Sequence, residues 1–370
     1  MPFAPIPLVP GDAFDAALRF GRAVDADASR LSDPAERADR LARHWREAMR
    51  LGWAGILVPE ESGGAGGALP DLVALVDGVG RSAAPLPLVS ACAVAPRLLL
   101  AAGEAGRPAL AEIADGQMRP CPIVLCGPSP PAYDDAPLRL REEGGRLVLH
   151  GTALGVEAPP EPTHHLVACD VEGGGAGPAL VLLPADAPGL SIVRHERMDG
   201  RPTLDFECRS VPAGLPLAQG RAVLAAAEAA QDLGALLTCV ESVSAMGALI
   251  EQTVAYLSGR VQFGAALSTF QALRHRAAEM YVAYENFRGL VVHAVRRMEE
   301  DPAAASRDVA LAKLRLGFAG RFVAEAGIQL HGGMGLTEEL AAGRLARRIL
   351  MAEFEYGDRA HHAARLLDAA

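Results

Sequence analysis

Residues with the means to do chemistry concentrate between Ala324 and His362 of this 370-residue chain. Gln329 is followed by the paired glycines Gly332 and Gly333, which leave bare backbone at a tight bend, a place where another molecule's phosphates or sugars can approach closely. Downstream, the turn Phe354-Glu355-Tyr356-Gly357-Asp358 puts two acids and two aromatics side by side. Elsewhere the signals are weaker. The glycine-rich run from Glu60 to Gly67 lacks the strand–turn–helix context of a phosphate loop and reads as a connector, with a loop near a bound ligand as the alternative. His164-His165 has no further ligands at metal-binding spacing, so paired surface histidines and no metal site are expected. Six cysteines (Cys92, Cys121, Cys126, Cys169, Cys208, Cys239) show no C-x-x-C pattern, so buried thiols in a reducing compartment are expected rather than zinc or disulfides.

The elements that must position these groups follow from periodicity. A helix should stop at Gly332-Gly333, and a second should start near Thr337, a side-chain N-cap followed by Glu338 and Glu339 in the dipole-favoured first turn. From Ala13 to Gly116 the pattern is helical, as in the segment 35–50, where Ala38, Leu41, Ala42, Trp45 and Met49 fall near i, i+3, i+4 spacing. Further helices are expected over 69–81 and around 94–102. Between Arg119 and Leu217, recurrent proline and glycine separate short runs (122–125, 146–150, 165–169, 179–183, 204–207), the pattern of a small antiparallel β domain. Long alanine- and leucine-rich helical segments then return at 222–234, 235–257, 270–299 and 306–330, with Asp301-Pro302 separating two of them. The expected class is α+β, mostly α: an N-terminal helical domain (1–118), a middle β domain (119–218) and a C-terminal four-helix bundle (219–370).

Composition excludes some functions. A net charge of −10 argues against a nucleic-acid partner, which calls for a basic face. By this reading no stretch reaches the roughly 18 apolar residues of a membrane span, and the N-terminus lacks a basic-then-apolar leader, so a cytoplasmic protein with no membrane partner is expected. Lys313 is the single lysine among 35 basic residues, which reads as the imprint of a GC-rich genome.

Particular motifs carry a resemblance. Arg260-Val261-Gln262-Phe263-Gly264, then Phe270-Gln271, then Gln329 through Gly335, together with Leu51-Gly52-Trp53, Val58-Pro59-Glu60-Glu61 and Gly63-Gly64, resemble the acyl-CoA dehydrogenase family. The resemblance implies FAD as cofactor and an acyl-CoA thioester as substrate, a carboxylate taking the α-proton while the flavin takes a hydride from the β-carbon. It also implies that the R-x-x-F-G and Q-x-x-G-G segments reach the flavin of a neighbouring subunit. Arg260 would balance the pyrophosphate, Gln262, Phe263 and Gln271 would line the nucleotide, and Gln329, Gly332 and Gly333 would let it approach. An electron-transfer flavoprotein is the implied electron acceptor.

The chain departs from the family pattern at two places. The loop that holds a subunit's own isoalloxazine corresponds to Leu125 through Pro131, shortened, with Ser129 its remaining polar side chain. An ungapped count from Gln329 puts the usual catalytic glutamate at Tyr356, and the alternative position in the family falls on Gly234. A phenol with a pKa near 10 is a poor base at neutral pH. Three carboxylates are candidates to substitute: Glu241, two turns beyond Gly234 on about the same face, then Glu355 and Asp358. The resemblance implies one subunit of a heteromeric acyl-CoA dehydrogenase acting on a bulky substrate such as a steroid side chain or a dicarboxylate. A homo-oligomer with Glu241 as a displaced base, or an inactive structural subunit, are the alternatives.

Overall fold

In the computed structural model, residues 3–31, 33–126, 137–173 and 177–368 are described. The helices in chain order are α1 (Asp12–Ala28), α2 (Pro34–Arg50), α3 (Leu69–Gly80), α4 (Ala95–Leu100), α5 (Arg107–Ala114), α6 (Arg221–Gly259), α7 (Gln271–Glu300), α8 (Ser306–His331), α9 (Ala341–Ala352) and α10 (Arg359–Asp368). The strands are β1 (Pro120–Val124), β2 (Arg139–Glu143), β3 (Arg146–Glu157), β4 (His164–Cys169), β5 (Ala179–Pro184), β6 (Leu190–Glu196), β7 (Pro202–Pro212), β8 (Ala218–Gln219), β9 (Val261–Gln262) and β10 (Ala265–Ala266). The chain divides into two compact units, one of Met1–Arg37, Leu69–Pro85 and Ala235–Ala370, the other of Ala38–Ala68 and Leu86–Gly234.

The first unit is helical. α1 buries Phe14, Ala17, Gly21 and Val24, a stripe at helical spacing. Glycines let α1 and α3 pack closely: a Cβ on Gly78 would lie 2.6 Å from the Phe14 carbonyl, and one on Gly21 2.7 Å from Ser82 Oγ. Asp77 on α3 fastens the N-terminal segment, accepting from Leu8 N (2.6 Å) and from Ser244 Oγ (2.7 Å). Arg81 adds a bond to the Pro5 carbonyl at 2.7 Å. Behind them α6, α7 and α8 form the long part of the bundle, with Leu249 of α6 filling the space beside Gly327 of α8. Met280, Tyr284, Phe287 and Val291 of α7 and Leu316 and Val323 of α8 are buried there, each apolar side chain contributing about 1.5–3 kcal/mol relative to exposure.

The second unit holds the β domain. One sheet has the order β1-β4-β5-β8 and the other β2-β3-β7-β6. A shared core of Ile123, Leu140, Leu149, Val167, Val181, Phe206 and Val211 fills the domain. Successive side chains face opposite sides, so β4 and β5 give this core alternate residues (Val167 and Cys169; Ala179, Val181 and Leu183), while the other face of β4 is buried as well.

Several expectations need correction. The β domain is not wholly antiparallel: β1 pairs parallel with β4, Pro120 opposite His164. This is possible because a long connection, rather than a hairpin, joins them. His165 is a core residue, 1 % exposed, edge-on to Phe206 at 4.8 Å, because the inward phase of β4 falls on it. Residues 222–257 form one helix, since Gly234 in a buried helix interior costs only about 1 kcal/mol and does not break it. That helix is long and apolar enough to cross a membrane, and its whole apolar window is buried inside the fold, as a core helix requires. After α8, a 3-10 turn spans Gly332–Leu336 and α9 starts only at Ala341. Thr337 Oγ1 bonds back to the Met334 carbonyl (2.9 Å) and caps no helix. Finally, the helix expected around 94–102 begins earlier, through a π turn at Ser90–Val94.

Candidate functional site

The turn after α9 is built from buried charges. Along α9 the positions Leu345, Arg348, Ile349 and Ala352 share the inward face, so one member of an apolar stripe is a guanidinium. Arg348 donates to both oxygens of Glu355 (2.7 and 2.6 Å) and from Nη2 to Glu241 of α6 at 2.7 Å. All three side chains are under a tenth exposed. Burying an ion costs several kcal/mol, so such a triad persists only with short, well-aligned bonds of this kind.

Lys313 supplies the second cation. It is 1 % exposed and its ammonium donates to the carbonyls of Ala352 (2.8 Å), Glu353 (3.1 Å) and Glu355 (2.6 Å). Burial lowers its pKa to about 8, which leaves the ammonium form with its three donors at neutral pH. Two buried cations and the carboxylates of Glu241 and Glu355 make the cluster formally neutral. His362, fully buried, donates from Nε2 to the Tyr356 carbonyl at 2.9 Å, and burial lowers its pKa to about 3. Glu353 meets Arg359 at 2.7 Å. At the apex, Tyr356 is held at φ 52°, a left-handed conformation uncommon for a non-glycine residue, followed by Gly357 at φ 94°.

The structure thus brings Glu241 and Glu355 together, on one guanidinium. Asp358 stands apart from them, accepting from His361 N (2.8 Å) in the first turn of α10, as an N-cap does. Tyr356, on which the ungapped count from Gln329 puts the family's base, is half-buried, and Gly234 lies within α6. Sequence reasoning missed Arg348, Lys313 and His362. A charge in an apolar helical stripe was the signal for the first, and the singleness of Lys313 was the signal for the second.

The cofactor candidates sit at the other end of the bundle elements. Tyr256, near the end of α6, stacks on His331 at the end of α8 with centroids 4.7 Å apart, which joins the Arg260 segment to the Gln329–Gly333 bend. Beyond Arg260, β9 and β10 form a short hairpin, Gln262 opposite Ala265. At its tip Phe263 is 91 % exposed with φ 54° and stands edge-on to Phe270 at 6.2 Å. Arg260, Gln262, Gln271 and Gln329 are all exposed, and among the described residues the Arg260 guanidinium meets no carboxylate. Gly332 takes φ 59° as the C-cap of α8, and a Cβ at Gly332 or Gly333 would meet nothing within 4 Å. This open backbone with exposed donors fits the polar, phosphate-bearing half of a dinucleotide. Ser129 lies outside the described residues. Among those residues, no cluster of three metal-ligating side chains occurs.

The chain is similar to known proteins over most of its length. Residues 17–116 match the acyl-CoA dehydrogenase N-terminal domain and residues 224–369 the acyl-CoA dehydrogenase C-terminal domain. The chain is 28 % identical over 290 residues to acyl-CoA dehydrogenase IpdE2 of Mycolicibacterium smegmatis, covering 78 % of this chain and 75 % of that protein. IpdE2 of Mycobacterium tuberculosis is 28 % identical over 320 residues, 86 % of this chain and 80 % of that one. Among solved structures, a variant of the Tcur3481–Tcur3483 steroid ACAD is 26 % identical with a TM-score of 0.78, covering 96 % of each chain. The ChsE4–ChsE5 complex from Mycobacterium tuberculosis, 22 % identical with a TM-score of 0.78 over 98 % of each chain, shares the fold.

Proposed function

Because this chain belongs to the acyl-CoA dehydrogenase family of flavoprotein oxidoreductases, we propose that it works as one subunit of a heteromeric acyl-CoA dehydrogenase. It lends its cofactor-facing groups to a flavin shared with a partner subunit that supplies the base. One observation carries this reading: each carboxylate near the expected base position already has a structural task. Glu241 and Glu355 bind Arg348, and Asp358 caps α10. A base must present an oxygen to a C–H bond of the substrate, and both Glu355 oxygens face a guanidinium instead.

FAD, when bound, supplies the hydride acceptor. Of this chain's residues, Arg260 would face the pyrophosphate with a permanently charged, planar guanidinium, and the exposed Gln262, Gln271 and Gln329 would offer amides to the nucleotide. Gly332 and Gly333 present backbone without a Cβ in the way. Phe263, almost fully exposed at the hairpin tip, fits a face that a second subunit covers. The likeness to a steroid ACAD at 26 % identity supports a bulky acyl-CoA, such as a steroid thioester, as the substrate class. An electron-transfer flavoprotein is the proposed acceptor.

The deciding experiment is the flavin spectrum and acyl-CoA turnover of the chain purified alone, then co-purified with an acyl-CoA dehydrogenase encoded beside it. Weak flavin retention and no turnover alone, with both restored in the pair, is the expected result. A yellow, fully active homo-oligomer overturns it and returns Glu241 to consideration as a displaced base. A pair whose flavin content and rate equal the partner's own would reduce this chain to a structural subunit.

A further inference from the structure

Four carbonyls at the end of α9 point inward within five residues, and two side chains receive them all. Lys313 takes Ala352, Glu353 and Glu355, and His362 takes Tyr356. The first belongs to the last turn of α9 and the other three to the turn beyond it; none has a partner within the helix, and leaving one buried and unmet costs free energy comparable to a lost hydrogen bond. The geometry selects the residue that meets them. An ammonium is a compact point with three donors, which three carbonyls from one turn can surround, whereas a guanidinium is a planar fork whose donors diverge. In a chain that uses arginine for every other one of its 35 basic residues, the lysine stands where an arginine cannot do the work.

We propose that Lys313 is a positioning residue: by gathering the three carbonyls it holds the turn 352–358 in one conformation, and so fixes Tyr356 in its left-handed pose where the ungapped count puts the family's base. This rests on the reading of that turn as part of the substrate site. The turn is clamped from several sides. The Glu355 carbonyl binds Lys313 while its carboxylate binds Arg348, and Glu353 is held through Arg359. A strained φ at Tyr356 persists only where its surroundings over-determine it. The groups facing the ammonium are Cys239 from α6, Arg348 from α9, Glu353 and Glu355 from the turn, and His362 from α10.

The test uses the full chain with Lys313→Met, which keeps the length of the stem, and Lys313→Arg, which keeps the charge. Amide hydrogen exchange is followed in peptides covering 350–358 and in those covering the middle of α7. Both variants should exchange about tenfold faster or more in 350–358 while α7 stays protected, and arginine should not rescue. Because Lys313 is the single lysine, the unmutated chain gives an independent reading: an amine-reactive reagent should leave Lys313 unlabelled in the native state and label it on unfolding. Protection of 350–358 equal to the unmutated chain in both variants, full rescue by arginine, or rapid native labelling of Lys313 each overturns the proposal. Turnover of the variants paired with the partner subunit is measured separately. A loosened turn with unchanged turnover keeps the clamp but removes the turn from the substrate site, so the two readings fail independently.

Discussion

Replacing Arg348 with methionine should be among the most damaging single changes in this chain. The substitution leaves two carboxylates, each under a tenth exposed, without the guanidinium they share. Breaking a buried ion pair by removing one partner costs about 3–5 kcal/mol. Two stranded anions point to the upper part of that range, and the Lys313 ammonium on the Glu355 carbonyl points back down, so the expected loss is about 4 kcal/mol. For a protein stable by about 5–15 kcal/mol this is a large fraction. Denaturant unfolding of the single variant, of Glu241→Gln with Glu355→Gln, and of the triple variant closes a mutant cycle. Neutralising the two acids should restore at least about 2 kcal/mol to Arg348→Met, because the stranded charge is what the single variant suffers from. A loss below about 1 kcal/mol, or a triple variant no better than the single one, would refute the triad as a structural element. In the same series, Glu241→Gln that abolished turnover while leaving stability untouched would mark Glu241 as the base.

Burial lowers His165 to about 4 from its ordinary 6.5, so between those values the unfolded chain binds more protons than the folded one and stability is lost as pH falls through that window. His165→Phe should remove up to about 3 kcal/mol of that acid sensitivity, read from unfolding midpoints at pH 7 and pH 4.5. Phe263→Ser should change the stability of the isolated chain by no more than about 0.5 kcal/mol, since the ring is almost fully exposed, yet lower flavin retention in the assembled oligomer, measured by absorbance after gel filtration. Gly332→Ala meets no neighbour, so its cost of about 1 kcal/mol or more should come from the φ of 59° alone, visible as a lower melting temperature with unchanged α8 helicity.

The sequence disclosed the elements whose cause is local. Periodicity located α7 and α8 to within a residue or two, the glycine pair ended α8 at His331, and the R-x-x-F-G and Q-x-x-G-G motifs fell at helix ends that the Tyr256–His331 stack brings together. Features with a non-local cause stayed hidden. Whether Gly234 breaks a helix depends on what packs around it, and the parallel pairing of β1 with β4 depends on a connection whose path no local pattern reveals. The same holds at the turn. Glu241 lies 107 residues from Arg348, and nothing near either residue says that they meet. What a buried charge meets is set by the tertiary fold, and no local pattern pairs Glu241 with a guanidinium.

The length and apolarity of α6 also bear on how this protein is made. Its apolar window is indistinguishable by composition from a membrane anchor, and helices that cover it, α7 and α8, follow it in the chain. At about 5–20 residues per second, the 72 residues from Gly259 to His331 keep α6 waiting for about 4–14 seconds of synthesis. Through that interval the ribosome displays a segment that the membrane-insertion machinery and aggregating neighbours can both bind. Slow codons placed between 260 and 331 should therefore lower the soluble yield more than the same codons placed after 331, and co-expressed holding chaperones should recover part of that loss.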